Sequence, residues 1–481
     1  MQLRYTLNMN SITIGLGATA LAALLSGCLH VPPAPLSPAD SARGLAARSL
    51  ADPALQSFLT ESFGRPRNPW PRASWNVEEL TLAAIYFHPS LLVARAQLER
   101  AEAHEEKAAQ RPNPSLTLNP QRLDPAAGAS PWTGFVQLSW TIETAGKRVH
   151  YEAVARAGTR VAAANLESAV WLLRGQLTQA VFALRAATAR SVDRERSVEL
   201  LTQRLALVER RSQAGAGTRS EVARERLAQT RAAADRATSA RLEAEARARL
   251  AAAIGLPRQA LDDLELELEP DGDWTLAADL ESADARDTAL QGRSDILAAL
   301  ADYAAAEANL RLELALQYPN IVLGPTNQYQ QGTHQWGLAL TLDLPLMSRN
   351  QGGVAEARAA RDESAARFEA LQAQVMSEVD GACASLDAAQ NERLRARESL
   401  AAAEEGATFA ARALAAGASD RASWLATEGV AVQARLVEVD AEEQVQHGRA
   451  RLEAAVRPLG SELVAVASRG RPEGEGVEDG K

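Results

Sequence analysis

Two stretches of the chain alternate strictly between apolar and polar positions. Val136, Leu138, Trp140 and Ile142 are separated by Gln137, Ser139 and Thr141, and Leu338, Leu340, Leu342 and Leu344 by Ala339, Thr341 and Asp343. Period-two alternation predicts strands with one face in an apolar medium and the other in water. A weaker strand precedes each: Leu116 and Leu118 set among Ser115, Thr117 and Asn119, then Ile321 and Leu323. Polar loops, QRLDPAAGAS (121–130) and NQYQQGTH (327–334), close the two predicted hairpins. Elsewhere the period is helical. Val170, Leu173, Leu177, Val181 and Leu184 keep a 4/3 spacing, as do Val198, Leu201, Leu205 and Val208, and later Val375, Val379, Ala382 and Leu386. These are coiled-coil stripes on two long helices, predicted from Gly146 to near Gln213 and from Gln351 to near Ala416. Glycine-containing turns (214–221 and 416–423) reverse the chain, and a shorter helix returns from each.

The pattern occurs twice. Residues 88–120 lie over 293–325 without a gap, superposing Ala101-Glu102-Ala103 on Ala306-Glu307-Ala308, Pro114 on Pro319 and Pro120 on Pro325. In each copy a helix of roughly 35 residues ends near a proline, which cannot continue it, before the hairpin begins. A recurring unit of this kind fixes the architecture. The expected division is a first helix–hairpin–helix repeat over 76–257, an inter-repeat segment over 258–280 that packs around the girth, and a second repeat over 281–460. The region 28–75 is expected to be a Pro-rich, irregular tether and 461–481 an acidic, disordered tail. A long helix of about 67 residues spans ~100 Å, and two shorter partners stacked end to end would match it.

Four strands of membrane-crossing length cannot close a barrel. An open sheet in lipid leaves edge amides and carbonyls unpaired, at several kcal/mol each, and single-chain bacterial barrels begin at about eight strands. The fold class expected is therefore mainly α with membrane β: a long α-helical coiled-coil barrel joined to a transmembrane β-barrel to which each chain gives four strands. Gln137, Ser139, Thr141 and Asp343 are candidates for the barrel lumen, and Trp132, Trp140, Tyr329 and Trp336 for an interfacial aromatic girdle.

Composition narrows the partners. The 481 residues carry a formal net charge of −10, which leaves no basic face for nucleic acid. There are two cysteines. Cys383 lies in a helical stretch and reads as a small packing residue. Cys28 ends an apolar segment (Ile12 to Leu25) that is too short to remain as a bilayer span and reads as a secretory signal over 1–27. Leu25-Ser26-Gly27-Cys28 resembles a bacterial lipobox, which implies a lipid on Cys28. Leu29 in place of an aspartate favours the outer membrane.

These features resemble the outer membrane efflux protein (TolC-like) family, and especially its heavy-metal (CzcC-like) branch. That branch leaves the second strand through an acidic-Gly-Lys-Arg sequence, and here Glu143 precedes Gly146-Lys147-Arg148. Its second copy has Pro-Leu followed by Arg-Asn-Gln-Gly, matched by Pro345-Leu346 and Arg349-Asn350-Gln351-Gly352. The resemblance implies a homotrimer with a 12-stranded barrel in the outer membrane and a helical tunnel in the periplasm. It also implies a periplasmic end that opens when an adaptor and an inner-membrane RND pump dock. The corresponding tip positions are Gly215, Gly217, Thr218, Arg219 and Ser220, then Gly417, Ser419, Asp420 and Arg421. Leu414 stands where the family often has a tyrosine, and Glu404, Glu405 and Glu428 are candidates to line the lumen nearby.

No catalytic constellation is legible. The six histidines are scattered without His-x3-His or Cys-x2-Cys spacing, and His334 reads as a solvated loop residue. A duct needs no tight site, since a tightly held ion leaves slowly. The expected protein is therefore not an enzyme and binds no cofactor beyond the lipid on Cys28. Its expected function is passive conduction, of heavy-metal cations first. Drug efflux or type I protein secretion through the same fold is the alternative, and a periplasmic coiled-coil adaptor or structural lipoprotein a weaker one.

Overall fold

The computed structural model describes residues 31–66, 68–122, 131–262, 264–267, 285–330, 332–456 and 465–468. Cys28 and the signal segment lie outside them. The chain divides into two units, 1–47 and 48–481. In the first, α1 (Pro38–Ala46) is the described element. Ser37 caps it and Pro38 takes its first turn, a position where proline's missing N–H costs nothing. A helix therefore begins inside the Pro-rich run, directly after Ser37.

The second unit opens with α2 (Pro53–Phe63), where the sequence predicted irregular chain. Strand β1 (Ser74–Trp75), α3 (Val77–Phe87), α4 (Pro89–Ala109), β2 (Ser115–Arg122), β3 (Trp132–Ile142), α5 (Lys147–Gln213) and α6 (Arg219–Ile254) follow. Then come β4 (Glu265–Leu266), α7 (Ala285–Gly292), α8 (Ser294–Ala315), β5 (Ile321–Gln330), β6 (Thr333–Leu342), α9 (Gln351–Ala415) and α10 (Arg421–Val456). The order from α3 to α6 recurs from α7 to α10.

The helix expected before each hairpin is broken in two. Between α3 and α4 the axis bends by 57° at His88. Pro89 is the cause: it cannot donate to Ile85, and it drives the preceding residue into the extended region, where His88 has ψ 125. Two arginines take over the freed carbonyls. Arg95 Nη2 donates to Ile85 O at 2.9 Å, and Arg48 Nη1 to Phe87 O at 2.7 Å. Arg95 Nε also donates to Ala467 O at 2.6 Å. Ala467 is buried in the core formed by α2, α3, α4 and the middle of α5, so the expected disordered tail includes a packed helical turn at 465–468. The inter-repeat segment joins the same core through Leu261, and β4 pairs in parallel with β1.

The long helices have 67 and 65 residues, ~100 Å each at 1.5 Å rise. The shorter helices are unequal, 21 and 22 residues on the hairpin side and 36 and 36 on the other. On the hairpin side the packing order is α4–α5–α8–α9; on the other it is α6–α5–α10–α9. The first stripe, Val170 to Leu184, is fully buried. Val198, Leu201, Leu205 and Val208 are only half-buried, because the lower part of α5 buries Asp193, Ser197 and Leu200 instead. Cys383 packs half-buried against the second core, as expected of a packing residue.

Candidate functional site: the two-faced sheet, the junctions and the turns

The four long strands form one antiparallel sheet in the order β2-β3-β5-β6. Register sorts the side chains. Leu116 pairs with Leu138, Leu118 with Val136, Trp140 with Leu323, Leu323 with Leu340, and Ile321 with Leu342. One face therefore collects every leucine and isoleucine of the four strands with Val136, together with Trp132, Trp140, Tyr329 and Trp336, and near the β5–β6 turn Asn327 and His334. It is exposed, Leu118 being 61%, Trp336 79% and Leu340 67% accessible, and so is much of the opposite face, including Ser115, Thr117, Gln335 and Thr341. The opposite face carries Gln137, Ser139 and Thr141 with Ser115, Thr117, Asn119, Thr326, Gln328 and Thr341, which the period-two rule could have included, and among them the apolar Phe135 and Val322. Gln137 Nε2 donates to Ser139 Oγ at 2.9 Å. Among the described strand residues this face has no ionisable side chain. Asp343, the remaining lumen candidate, falls one residue past the end of β6.

Two loop expectations change. The segment 327–334 is mostly strand, β5 and β6 being separated by two residues with Gly332 at φ 91. His334 is a strand residue whose Nδ1 lies 3.1 Å from Asn327 Oδ1 and whose ring centroid lies 5.0 Å from that of Tyr329, the two planes tilted by 47°. Residues 123–130 of the other loop lie outside the described chain.

At Gly324-Pro325 the β3–β5 ladder skips two positions, resuming at Gln137–Thr326 and Trp140–Leu323 on either side. Pro325 has no N–H to offer. A Cβ on Gly324 would sit 1.7 Å from Leu138 O, and one on Gly134 2.4 Å from Asn119 O. Only glycine permits either approach.

Each strand-to-helix junction turns through a left-handed residue, Gly146 at φ 68 and Asn350 at φ 59. The first junction is a clasp. Lys147, only 3% accessible, donates to Tyr318 O and, at 2.6 Å, to Asn320 Oδ1, while Thr144 Oγ1 donates to Pro319 O at 2.6 Å. Arg148 pairs with Glu143 at 2.6 Å and reaches Ala109 O. At the second junction Asn350 Nδ2 donates to Glu313 Oε2 at 2.6 Å, and Gln351 Oε1 accepts from the Arg349 N–H. Gly352 lies exposed in the first turn of α9.

The two turns share one geometry. Gly215 and Gly417 are left-handed, and Ala216 and Ala418 donate back to Arg211 O and Ala413 O, which satisfies the last carbonyls of α5 and α9. Gly217 and Thr218 lead into α6, where Thr218 and Glu221 form a capping box and Ser220 Oγ lies 3.0 Å from Thr218 Oγ1. Arg219 is exposed in the same turn. After Ser419, Asp420 accepts from the Ser423 N–H at 2.7 Å, a bond that holds its carboxyl below the usual range. Arg421 ties α10 to α5 through Gln203 at 3.2 Å. Leu414 is half-buried and supplies the carbonyl that caps Gly417.

Above the turns lies a network that the sequence did not single out. Arg435 of α10 lies 2.6 Å from Glu404 of α9 and 3.8 Å from the buried Asp193 of α5, with Glu428 also acting on it. Glu405 is exposed. Further along the α5–α10 seam, Arg190 meets Asp440 at 2.6 Å and Glu443, and Arg174 meets Glu453 at 2.7 Å. Burial pushes the Asp193 carboxyl up, against the pull of Arg435. A carboxyl raised in the folded state stabilises the fold below its unfolded pKa, and that contribution is lost as pH rises through the folded value. The Asp193→Asn variant is therefore expected to melt no lower than the parent at pH 7, with any advantage shrinking as the pH falls toward 4. Thermal unfolding in detergent tests this. A variant that melts well below the parent at pH 7 would show that the ion pair outweighs the burial cost.

Residues 285–456 match the family model for outer membrane efflux proteins. No curated protein sequence matches significantly. Among solved structures, the outer membrane protein VceC of Vibrio cholerae is similar with a TM-score of 0.63 and 18% identity over 79% of this chain and 95% of that one. The outer-membrane channel OprN matches at 0.65 and 18% over 89% and 97%. The CmeC outer membrane channel of Campylobacter jejuni matches at 0.64 and 14% over 89% and 93%. The chain thus has the fold of these outer-membrane channels, and most of its second repeat matches the outer membrane efflux protein model.

Proposed function

We propose that this chain is the outer-membrane channel of a tripartite RND-type efflux system, a homotrimer that passively conducts substrate from periplasm to exterior. One observation carries the reading: a hydrogen-bonded sheet with one contiguous apolar face left uncovered and a polar face behind it. Such a face needs lipid, since soluble chains rarely leave contiguous apolar patches of this extent uncovered. Its two edges, β2 and β6, need further strands, and three copies would give twelve. The polar face then lines the pore, and the long helices carry the conduit into the periplasm. Cys28 holds the lipid anchor in this reading, and the turns at 215–220 and 417–421 meet the adaptor.

Heavy-metal cations are the cargo we favour, on the Gly146-Lys147-Arg148 and Arg349–Gly352 signatures. The face that would line the pore has no ionisable side chain among the described strand residues, so the pore itself exerts little choice by charge and selection falls to the pump. Deletion of the gene is expected to raise sensitivity to one or more of zinc, cobalt, cadmium, copper and silver, with accumulation of that metal in the cell. Unchanged tolerance to all five, alongside new sensitivity to hydrophobic drugs, would move the cargo to drugs and leave the channel standing.

A further inference from the structure

The clasp between the first junction and the linker ahead of β5 occurs once within a chain that repeats its elements. The repeat offset that places Pro319 on Pro114 places Tyr318–Asn320 on Asn113–Ser115. The left-handed residues place Gly146 on Asn350. Inside the chain, junction one (Ile142–Lys147) is seated on Tyr318–Asn320. The corresponding pair, junction two (Leu344–Gln351) and the linker Asn113–Ser115, do not meet within one chain. They belong to opposite open edges of the sheet, one following β6 and the other leading into β2. Both are bare: Asn113, Pro114 and Ser115 are all exposed, as are Leu346 at 80% and Met347 at 101%. The guanidinium of Arg349 is exposed and meets no hydrogen-bond acceptor among the described residues, whereas its neighbour Asn350 is spent on Glu313 of its own repeat.

We infer that junction two of one copy clasps the Asn113–Ser115 linker of a second copy. Arg349 donates to the linker carbonyls as Lys147 donates to Tyr318 and Asn320 within the chain, and Leu346 and Met347 cover the contact. A guanidinium suits this place, because its planar fork of donors can engage successive linker carbonyls in a fixed geometry. The inference rests on the trimeric channel reading and adds its second inter-subunit lock, beside the strand edge. The two clasps differ in chemistry, lysine within a chain and arginine between chains, so the inter-subunit clasp can be weakened without touching the internal one.

The test joins Arg349→Cys and Asn113→Cys in a Cys383→Ala background, with a short bis-maleimide applied to the detergent-extracted full-length protein. Mass photometry of the uncoupled sample runs in parallel. The expected result is a trimeric mass, dimer and trimer bands on denaturing gels that need both cysteines, and a lower trimer-dissociation temperature for Arg349→Ala that Arg349→Lys largely restores. A trimeric mass with no cross-linked bands, and Arg349→Ala dissociating like the parent, would overturn the clasp, assign the Leu344–Met347 loop to lipid and leave the channel standing. A monomeric mass would overturn both.

Discussion

Gly324→Val is expected to abolish assembly of the channel while leaving the helices able to fold. The added side chain would begin 1.7 Å from the Leu138 carbonyl oxygen, closer than any non-bonded contact allows, and the obstacle is backbone that cannot rotate away. The β3–β5 pair would have to part at the point where Pro325 already leaves the ladder without a donor. This pair also joins the first hairpin to the second. In lipid each stranded backbone group costs several kcal/mol. Every copy in a ring carries the same defect, so the amount of heat-labile trimer in outer-membrane fractions should fall by roughly tenfold or more, since ~1.4 kcal/mol is already a factor of ten. Gly324→Ala brings the same Cβ and should fail nearly as badly. Gly352→Val, where a Cβ meets nothing within 4 Å, should assemble like the parent. Parental amounts of Gly324→Val trimer would mean that the strands do not approach as described.

Much of this was legible because two periodicities did not overlap. Alternation in β3 and β6 named the strands, their faces and the exposed tryptophans, and the 4/3 stripes placed α5 and α9 to within about two residues. Glycines fixed the turns. What stayed hidden depended on partners distant in sequence. Asp193 looks like any polar residue on a charged helix until α10 brings Arg435 over it. The clasp role of Lys147 needs Tyr318 and Asn320, 171 and 173 positions away. The helix break at Pro89 is readable in principle, since proline cannot continue a helix from the preceding turn, but a single helix of roughly 35 residues was expected there. The packed turn at 465–468 is too short to carry a period at all.

Arg95 shows what that break requires. An Arg95→Ala variant is expected to lose about 3 kcal/mol of stability, because two buried carbonyls lose their donor at ~1–3 kcal/mol each. The first, Ile85 O, would bond residue 89 in a continuous helix, and Pro89 cannot provide that N–H. The second, Ala467 O, holds the last described turn against the core. One side chain thus offsets a helix break and fastens the C-terminal segment. Loss of it should show in two readouts. The unfolding midpoint should drop, and a protease should remove the C-terminal segment faster while the long helices stay intact. Arg95→Lys should recover less than half of the loss, since an ammonium cannot span Ile85 and Ala467 in the fixed geometry of a guanidinium. If Arg95→Ala unfolds within about 1 kcal/mol of the parent and its C-terminal segment resists protease equally, then the elbow is held by the apolar core around Leu55, Leu80 and Leu91, and the arginine only follows it.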